Sequence, residues 1–232
     1  MGVIRFNDDI FQPDSQEYDI LSNAALKIKG VDGAILEIGT RRGGSTKFII
    51  DSLVSNEDTN RSMFCIDPYG NIEYPQTNLS LTINEPNKFQ IDGDPESKTI
   101  IQNIKHDYDN DMRNQTIPSL YYYAYKAGLN FTFFCLEDTE FFNRYSDGVP
   151  VYNEFKKIEN KYALVFFDGP HINEIAVEET EFFIDKCNIG SMLVYDDIWM
   201  YDHDAQIESI LFQNGFELFE KGIYKASYVK VI

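Results

Sequence analysis

Five short apolar runs, residues 34–38, 63–66, 131–136, 162–167 and 191–195, each stop abruptly at a glycine or an acid, and segments of helical period lie between them. A strand of continuous apolar residues must be buried on both faces, which is the mark of a parallel sheet covered by helices. Alternation of such strands with helices implies right-handed crossovers, and it brings every strand's carboxyl end to one edge. The chain is therefore expected to be α/β, with a Rossmann-like doubly wound sheet.

Helical spacing is expected from a cap at Asp14 or Ser15 to about Lys29, over 45–53, 117–127 and 139–144 with a continuation near 152–158, and over 172–186 and 205–213. After Gly215 the period changes. Residues 216–219, a turn at Lys221-Gly222 and loose alternation over 224–231 predict a hairpin, so an antiparallel pair closes a mostly parallel sheet. Residues 70–110 are rich in Asn, Asp, Pro, Lys and Gln and fit no period; they are expected to form an inserted lid or small subdomain. At 232 residues one domain is the expectation.

The formal net charge of -18 opposes approach to a polyanion, so nucleic acid is excluded as the expected partner. No run of about 18 uncharged apolar residues is present and the first residues lack an apolar signal core, so no membrane association and a cytoplasmic location are expected. Cys65, Cys135 and Cys187 sit in apolar runs without a spaced framework, as buried reduced thiols do.

Chemistry concentrates at the strand ends. In ILEIGTRRGGST, Glu37 ends a strand, Gly39, Thr40, Gly43 and Gly44 form the turn, and Ser45 opens a helix. Glycines there admit a ligand close to the backbone, and the helix amino terminus supplies positive potential. The spacing is not G-x-G-x-x-G, which disfavours a nicotinamide dinucleotide. Asp67 ends the second run, where a carboxylate can accept both hydroxyl protons of a ribose. Glu137 and Asp138 follow the third run; either can meet an adenine amino group, and Asp138 is equally placed to cap a helix. Asp168 ends the fourth run and Asp196 and Asp197 the fifth, so three carboxylates meet in one crevice. They repel unless a cation lies among them, and an all-oxygen donor set favours magnesium, manganese or calcium over zinc. His171, three residues after Asp168, returns to the same crevice as a candidate base; His203 is the fallback, and His106 in the insertion is weaker.

From about Gly33 onward, outside the insertion, the chain resembles the class I S-adenosylmethionine-dependent methyltransferases, whose closing hairpin separates them from nicotinamide-binding domains. Asp168 with Asp196-Asp197 is similar to the metal triad of catechol-type O-methyltransferases. Asp168-Gly-x-His171 with the same pair is similar to the sugar O-methyltransferases of the macrocin and mycinamicin type, in which the acids hold magnesium and the histidine is the base. Glu37, Gly39 and Asp67 match cofactor positions of the class. The resemblance implies transfer of a methyl group from S-adenosylmethionine to a hydroxyl of a small molecule or sugar, assisted by a divalent cation. A domain of the same fold that binds ligand without turnover is the alternative.

Overall fold

The computed structural model describes residues 11–13, 15–69, 73–78, 100–105, 110–153 and 155–232, with 73–78 and 100–105 described by their backbone alone. Its centre is a seven-stranded sheet. The strands are β1 (Ala34–Ile38), β2 (Ser62–Ile66), β5 (Asn130–Phe134), β8 (Tyr162–Phe167), β9 (Cys187–Tyr195), β10 (Phe216–Lys221) and β11 (Ala226–Lys230), in the order β10-β11-β9-β8-β1-β2-β5. Every pairing from β5 across to β9 is parallel, and β11 joins β9 and β10 antiparallel. The doubly wound architecture with a closing hairpin is thus the observed one.

The predominant apolarity of β1, β2 and β8 has its cause in two cores, one per sheet face. Ile35, Met63, Cys65, Leu164 and Phe166 pack with α1 (Tyr18–Lys27), α2 (Gly44–Ser55) and α3 (Asn110–Ala127). Leu36, Ile38, Phe64, Val165 and Phe167 pack on the other face with α4 (Asp138–Arg144), α5 (Asn173–Ile184) and α6 (Glu208–Gln213). Alternate side chains of one strand leave the sheet in opposite directions, so a strand buried on both sides has no position for an unpartnered polar group.

Several expectations need correction. Residues 152–158 do not continue a helix: β6 (Val149–Tyr152) and β7 (Lys156–Glu159) form an antiparallel hairpin. The β-branched and aromatic side chains of Val149, Val151 and Tyr152 favour a pleated surface, and Val149 and Val151 alternate into the core. Helix α3 starts at Asn110 rather than at 117, and it carries Pro118 in its interior. The 205–213 helix begins earlier, as a π-helical turn at His203–Ile207 that runs into α6. Helix α1 starts at Tyr18 with Glu17 before it, so Ser15 does not cap it, and Asp14 lies outside the described residues. Cys135 is exposed, while Cys65 and Cys187 are buried free thiols. Most of 70–110 lies outside the described residues; within it β3 (Glu73–Asn78) and β4 (Ile100–Lys105) pair as an antiparallel hairpin. Among the described residues no helix is long and apolar enough to cross a membrane.

The tightest point of the fold lies where β1 ends against β8. Gly39 has φ 83°, and a Cβ there would fall 1.8 Å from the Asp168 carbonyl oxygen. Both backbone conformation and space exclude a side chain. Gly39→Ala is expected to destabilise the protein by about 3 kcal/mol or more, through combined backbone strain and overpacking. Urea unfolding would measure this, and a loss below about 1 kcal/mol would show that the β1 end yields.

Candidate active site

The carboxyl ends of the parallel strands line one edge, and they place Glu137 and Asp138, Asp67, the glycine turn, Asp168, and Asp196 with Asp197 in that lateral order. Neighbouring ends are tied by backbone hydrogen bonds: Asp67 N–H to Phe134 C=O at 3.1 Å, Gly39 N–H to Ile66 C=O at 2.9 Å, Asp168 N–H to Ile38 C=O at 2.9 Å, and Asp196 N–H to Phe167 C=O at 2.9 Å.

The glycine turn is held from below. Gly43, with φ 73°, is the residue before α2, and Gly43 N–H closes the turn on Thr40 C=O at 2.7 Å. Asp67 is almost fully buried, and its carboxylate accepts three backbone amides: Thr40 at 3.1 Å and Arg41 at 2.8 Å on Oδ2, and Tyr69 at 3.0 Å on Oδ1. Burial pushes its pKa up while these amides and Arg41 pull it down. An ionised carboxyl has about four acceptor positions, so Asp67 retains roughly one beyond the turn. Arg41 and Tyr69 both take left-handed backbone conformations, φ 43° and 50°, and the Tyr69 hydroxyl donates to the Arg41 carbonyl. Two strained non-glycine residues are thus locked together at the glycine turn, and the surrounding hydrogen bonds hold that conformation.

Glu37 is the last but one residue of β1, just before Ile38. It is fully buried beneath α2, where the Thr46 hydroxyl donates to its Oε2 and the Cys65 thiol lies 3.2 Å from the same oxygen. Ser45, likewise buried, opens α2 behind Gly44. At the far end Glu137, not Asp138, caps α4 through a capping box with Glu140. Asp138 turns inward, its Oδ1 accepting Thr139 N–H at 2.7 Å, towards a buried Glu179 whose carboxyl is pushed well above the ordinary range by burial and by Asp138.

The acid cluster divides in two. His171 Nε2 lies 3.8 Å from Asp168 Oδ1 and 3.5 Å from Asp197 Oδ2, and its ring stacks on Tyr201 with centroids 6.2 Å apart. Burial lowers the His171 pKa, against the pull of Asp197 and Asp196, which favours the neutral imidazole a base requires. Asp197 has φ 44°, and the Trp199 indole donates to its Oδ1 at 3.2 Å. Asp196 is fully buried and engaged elsewhere: its Oδ1 accepts Lys225 Nζ at 2.7 Å, Ser15 Oγ at 2.9 Å and Asp197 N–H at 2.8 Å. Lys225, Tyr69 and Trp199 carried no signal in the sequence, being single residues outside any spaced pattern, and Ser15 stood out only as a candidate helix cap.

His203 is not at the crevice. It is buried, with Nε2 2.8 Å from the Tyr228 hydroxyl and Nδ1 3.2 Å from the Tyr201 hydroxyl, which removes it as a fallback base. His106 lies outside the described residues.

Three carboxylates at adjacent strand ends suit a hard divalent ion in kind, and Asp196 Oδ2 is buried without a hydrogen-bond partner among the described residues. As placed, no three His, Cys, Asp or Glu side chains among the described residues are grouped to hold one. The donor set fits such an ion in its chemistry and is not a closed cage.

Residues 36–198, most of the chain, match a family described as a methyltransferase domain, and the chain belongs to that family of S-adenosylmethionine-dependent methyltransferases. No curated protein sequence matches it. Among solved structures it is similar to CalS11, a TDP-rhamnose 3'-O-methyltransferase of calicheamicin biosynthesis, at 13% identity and TM-score 0.55 over 91% of this chain and 78% of that one. It is also similar to the O-methyltransferase NovP, at 16% identity and TM-score 0.53 over 93% and 79%. An O-methyltransferase from Bacillus cereus in complex with SAH gives 9% identity and TM-score 0.52 over 92% and 80%. At such identities the likeness is one of fold.

Burial of His203 also has a consequence for stability. Its pKa falls from 6.5 to about 4 in the folded protein, chiefly through burial. Between those values the unfolded chain binds a proton that the native chain refuses, so stability is full above about pH 6.5 and declines as pH falls towards 4. The loss from this group amounts to about 3 kcal/mol, at 1.36 kcal/mol per pKa unit. Replacing it with Gln should flatten denaturant midpoints across that window; an unchanged slope would place the acid sensitivity elsewhere.

Proposed function

We propose that this methyltransferase transfers the methyl group of S-adenosylmethionine to a hydroxyl oxygen of a small molecule or sugar, with a divalent cation, magnesium first, held by Asp168, Asp196 and Asp197. The observation that carries the reading is His171, a largely buried histidine whose depressed pKa favours the neutral imidazole, set between Asp168 and Asp197 on the edge that also bears the glycine turn. The oxygen acceptor is further supported by the activities that name CalS11 and NovP, and the sugar class by that of CalS11.

In this reading the cofactor lies over Gly39, Thr40, Gly43, Gly44 and Ser45, where the α2 amino terminus offers amides and positive potential. Asp67 keeps the turn in its binding shape and turns its remaining acceptor position to the ribose. The adenine amino group would lie at the strand end that bears Glu137 and Asp138, and Glu37 acts through Thr46. A bound cation would lower the pKa of the acceptor hydroxyl and orient it. His171 then takes the hydroxyl proton as the oxygen attacks the methyl carbon; the carbon–sulfur bond breaks with its electron pair passing to sulfur, which leaves S-adenosylhomocysteine. Tyr201, stacked on His171, fixes the ring plane and limits water on that side. A domain of this fold that binds the cofactor without turnover is the second reading, and the commitment of Asp196 to Lys225 favours it.

The test is turnover with S-adenosylmethionine across a panel of sugar and phenolic hydroxyl acceptors, with magnesium or with chelator. His171→Ala should reduce turnover about a hundredfold or more while leaving S-adenosylhomocysteine affinity nearly unchanged. Asp67→Ala should do the reverse. It removes the acceptor of three amides, so calorimetry should show roughly 1.5–3 kcal/mol weaker binding of S-adenosylhomocysteine. Full activity in excess chelator would remove the cation from the scheme, and no turnover with any acceptor despite tight cofactor binding would favour the second reading.

A further inference from the structure

His203 is buried and stands outside the proposed chemistry, yet both of its ring nitrogens belong to a chain of hydrogen bonds that starts beside the candidate base. Tyr201, whose ring stacks on His171 at an interplanar angle of 4°, has its hydroxyl 3.2 Å from His203 Nδ1. His203 Nε2 lies 2.8 Å from the Tyr228 hydroxyl, and Tyr228 donates to Glu208 Oε1 at 2.8 Å. Lys221 Nζ closes the outer end, 2.8 Å from Glu208 and 2.7 Å from Asp204. The π-helical turn His203–Ile207 makes this chain possible. Its bond from Glu208 N–H to His203 C=O sets Glu208 over His203, where an α-helical turn would set Ile207, and both side chains then reach Tyr228 of β11.

Every proton in the chain has an assignable place. Glu208, ion-paired with Lys221, only accepts, so the one Tyr228 hydroxyl proton is spent on it and the Tyr228 oxygen accepts from His203. His203 Nε2 therefore carries a hydrogen. Burial pushes the His203 pKa down to about 4, so the ring is neutral at neutral pH and Nδ1 is an acceptor. The Tyr201 hydroxyl must then donate to Nδ1, which commits its only proton to His203.

We propose that His203 is a positioning residue for the candidate base: through the directed chain Tyr201–His203–Tyr228–Glu208 it fixes the Tyr201 ring against His171, and so keeps the His171 imidazole in the orientation that proton removal needs. This inference rests on His171 being the base of the proposed methyl transfer, while the chain and the ring placement are observable without turnover. Tyr201 serves the site by its ring face alone, because its hydroxyl proton is withheld from any other acceptor.

With only three histidines in the sequence, imidazole NMR on the full chain is the direct experiment. Nitrogen spectra should show His203 as a single Nε2–H tautomer, and the His171 ring protons should carry a ring-current shift that is lost in Tyr201→Leu. His203→Leu should remove most of that His171 shift and should lower kcat about tenfold, with S-adenosylmethionine and a hydroxyl acceptor that the unaltered protein methylates, while KM for the cofactor stays the same. His203→Gln keeps an acceptor for Tyr201 and a donor for Tyr228, so it should restore both readouts. Tyr228→Phe, which cuts the chain one step further out, should shift both in the direction of His203→Leu and keeps the test open if the Leu variant fails to fold. A purely structural histidine would lower the unfolding temperature and leave the His171 shift and kcat unmoved. An Nδ1–H tautomer, or an unmoved His171 shift or kcat in a folded His203→Leu or Tyr228→Phe protein, overturns this inference alone. Absence of turnover in every form, with the chain intact by NMR, overturns the methyl-transfer reading and with it the purpose assigned to His203.

Discussion

Parallel strands buried on both faces, β1, β2 and β8 along their length and β9 over its last five residues, leave polar chemistry one place to go, the line of their carboxyl ends. Within β1, β2 and β8 the single ionisable carboxylate is Glu37, and it is tolerated because Thr46 and Cys65 bond to it beneath α2. Everything else that can bind or react is displaced to the edge, where the backbone ties between Asp67 and Phe134, Gly39 and Ile66, and Asp168 and Ile38 set the lateral spacing of the groups. Close approach of Gly39 to the Asp168 carbonyl is what brings the glycine turn beside the strand-end acids.

The two halves of that crevice are stabilised differently. On the side of the glycine turn, backbone amides converge on one carboxylate, Asp67, and a tyrosine hydroxyl pins a strained arginine, so the chain itself holds the turn in shape. On the acid side, order comes from charge. His171 lies between two carboxylates, Trp199 holds the outer oxygen of Asp197, and Lys225 answers Asp196 from below. Breaking a buried pair of the last kind by removing one partner typically costs 3–5 kcal/mol, which ranks it among the larger single contributions in a domain of this size.

The sheet was legible because apolar runs such as YALVFF and SMLVY can satisfy only a doubly covered parallel strand, and the strand-end acids were legible because each run stops at one. Residues 152–158 were misread because apolar positions in so short a stretch do not distinguish strand from helix, and the β-forming Val149 and Val151 decided the matter. Capping of α4 fell to Glu137 rather than Asp138, because adjacent acids at a helix start are equivalent until the backbone direction is known. The division of the acid triad could not be seen at all. Asp196 and Asp197 are neighbours in the chain, yet opposite side-chain directions send one to His171 and the other to a lysine 29 residues away.

That last separation bears on how the molecule is made. Ser15 and Lys225 are 210 residues apart, and Asp196 emerges from the ribosome well before the lysine that neutralises it. A growing chain holding β1 to β9 can build most of the sheet, but it must leave an unanswered carboxylate at the centre of its future crevice, exposed to water or to any cation at hand. The hairpin that closes the sheet is therefore also the step that completes the crevice, and until it docks the nascent chain has the sheet without the finished acid cluster.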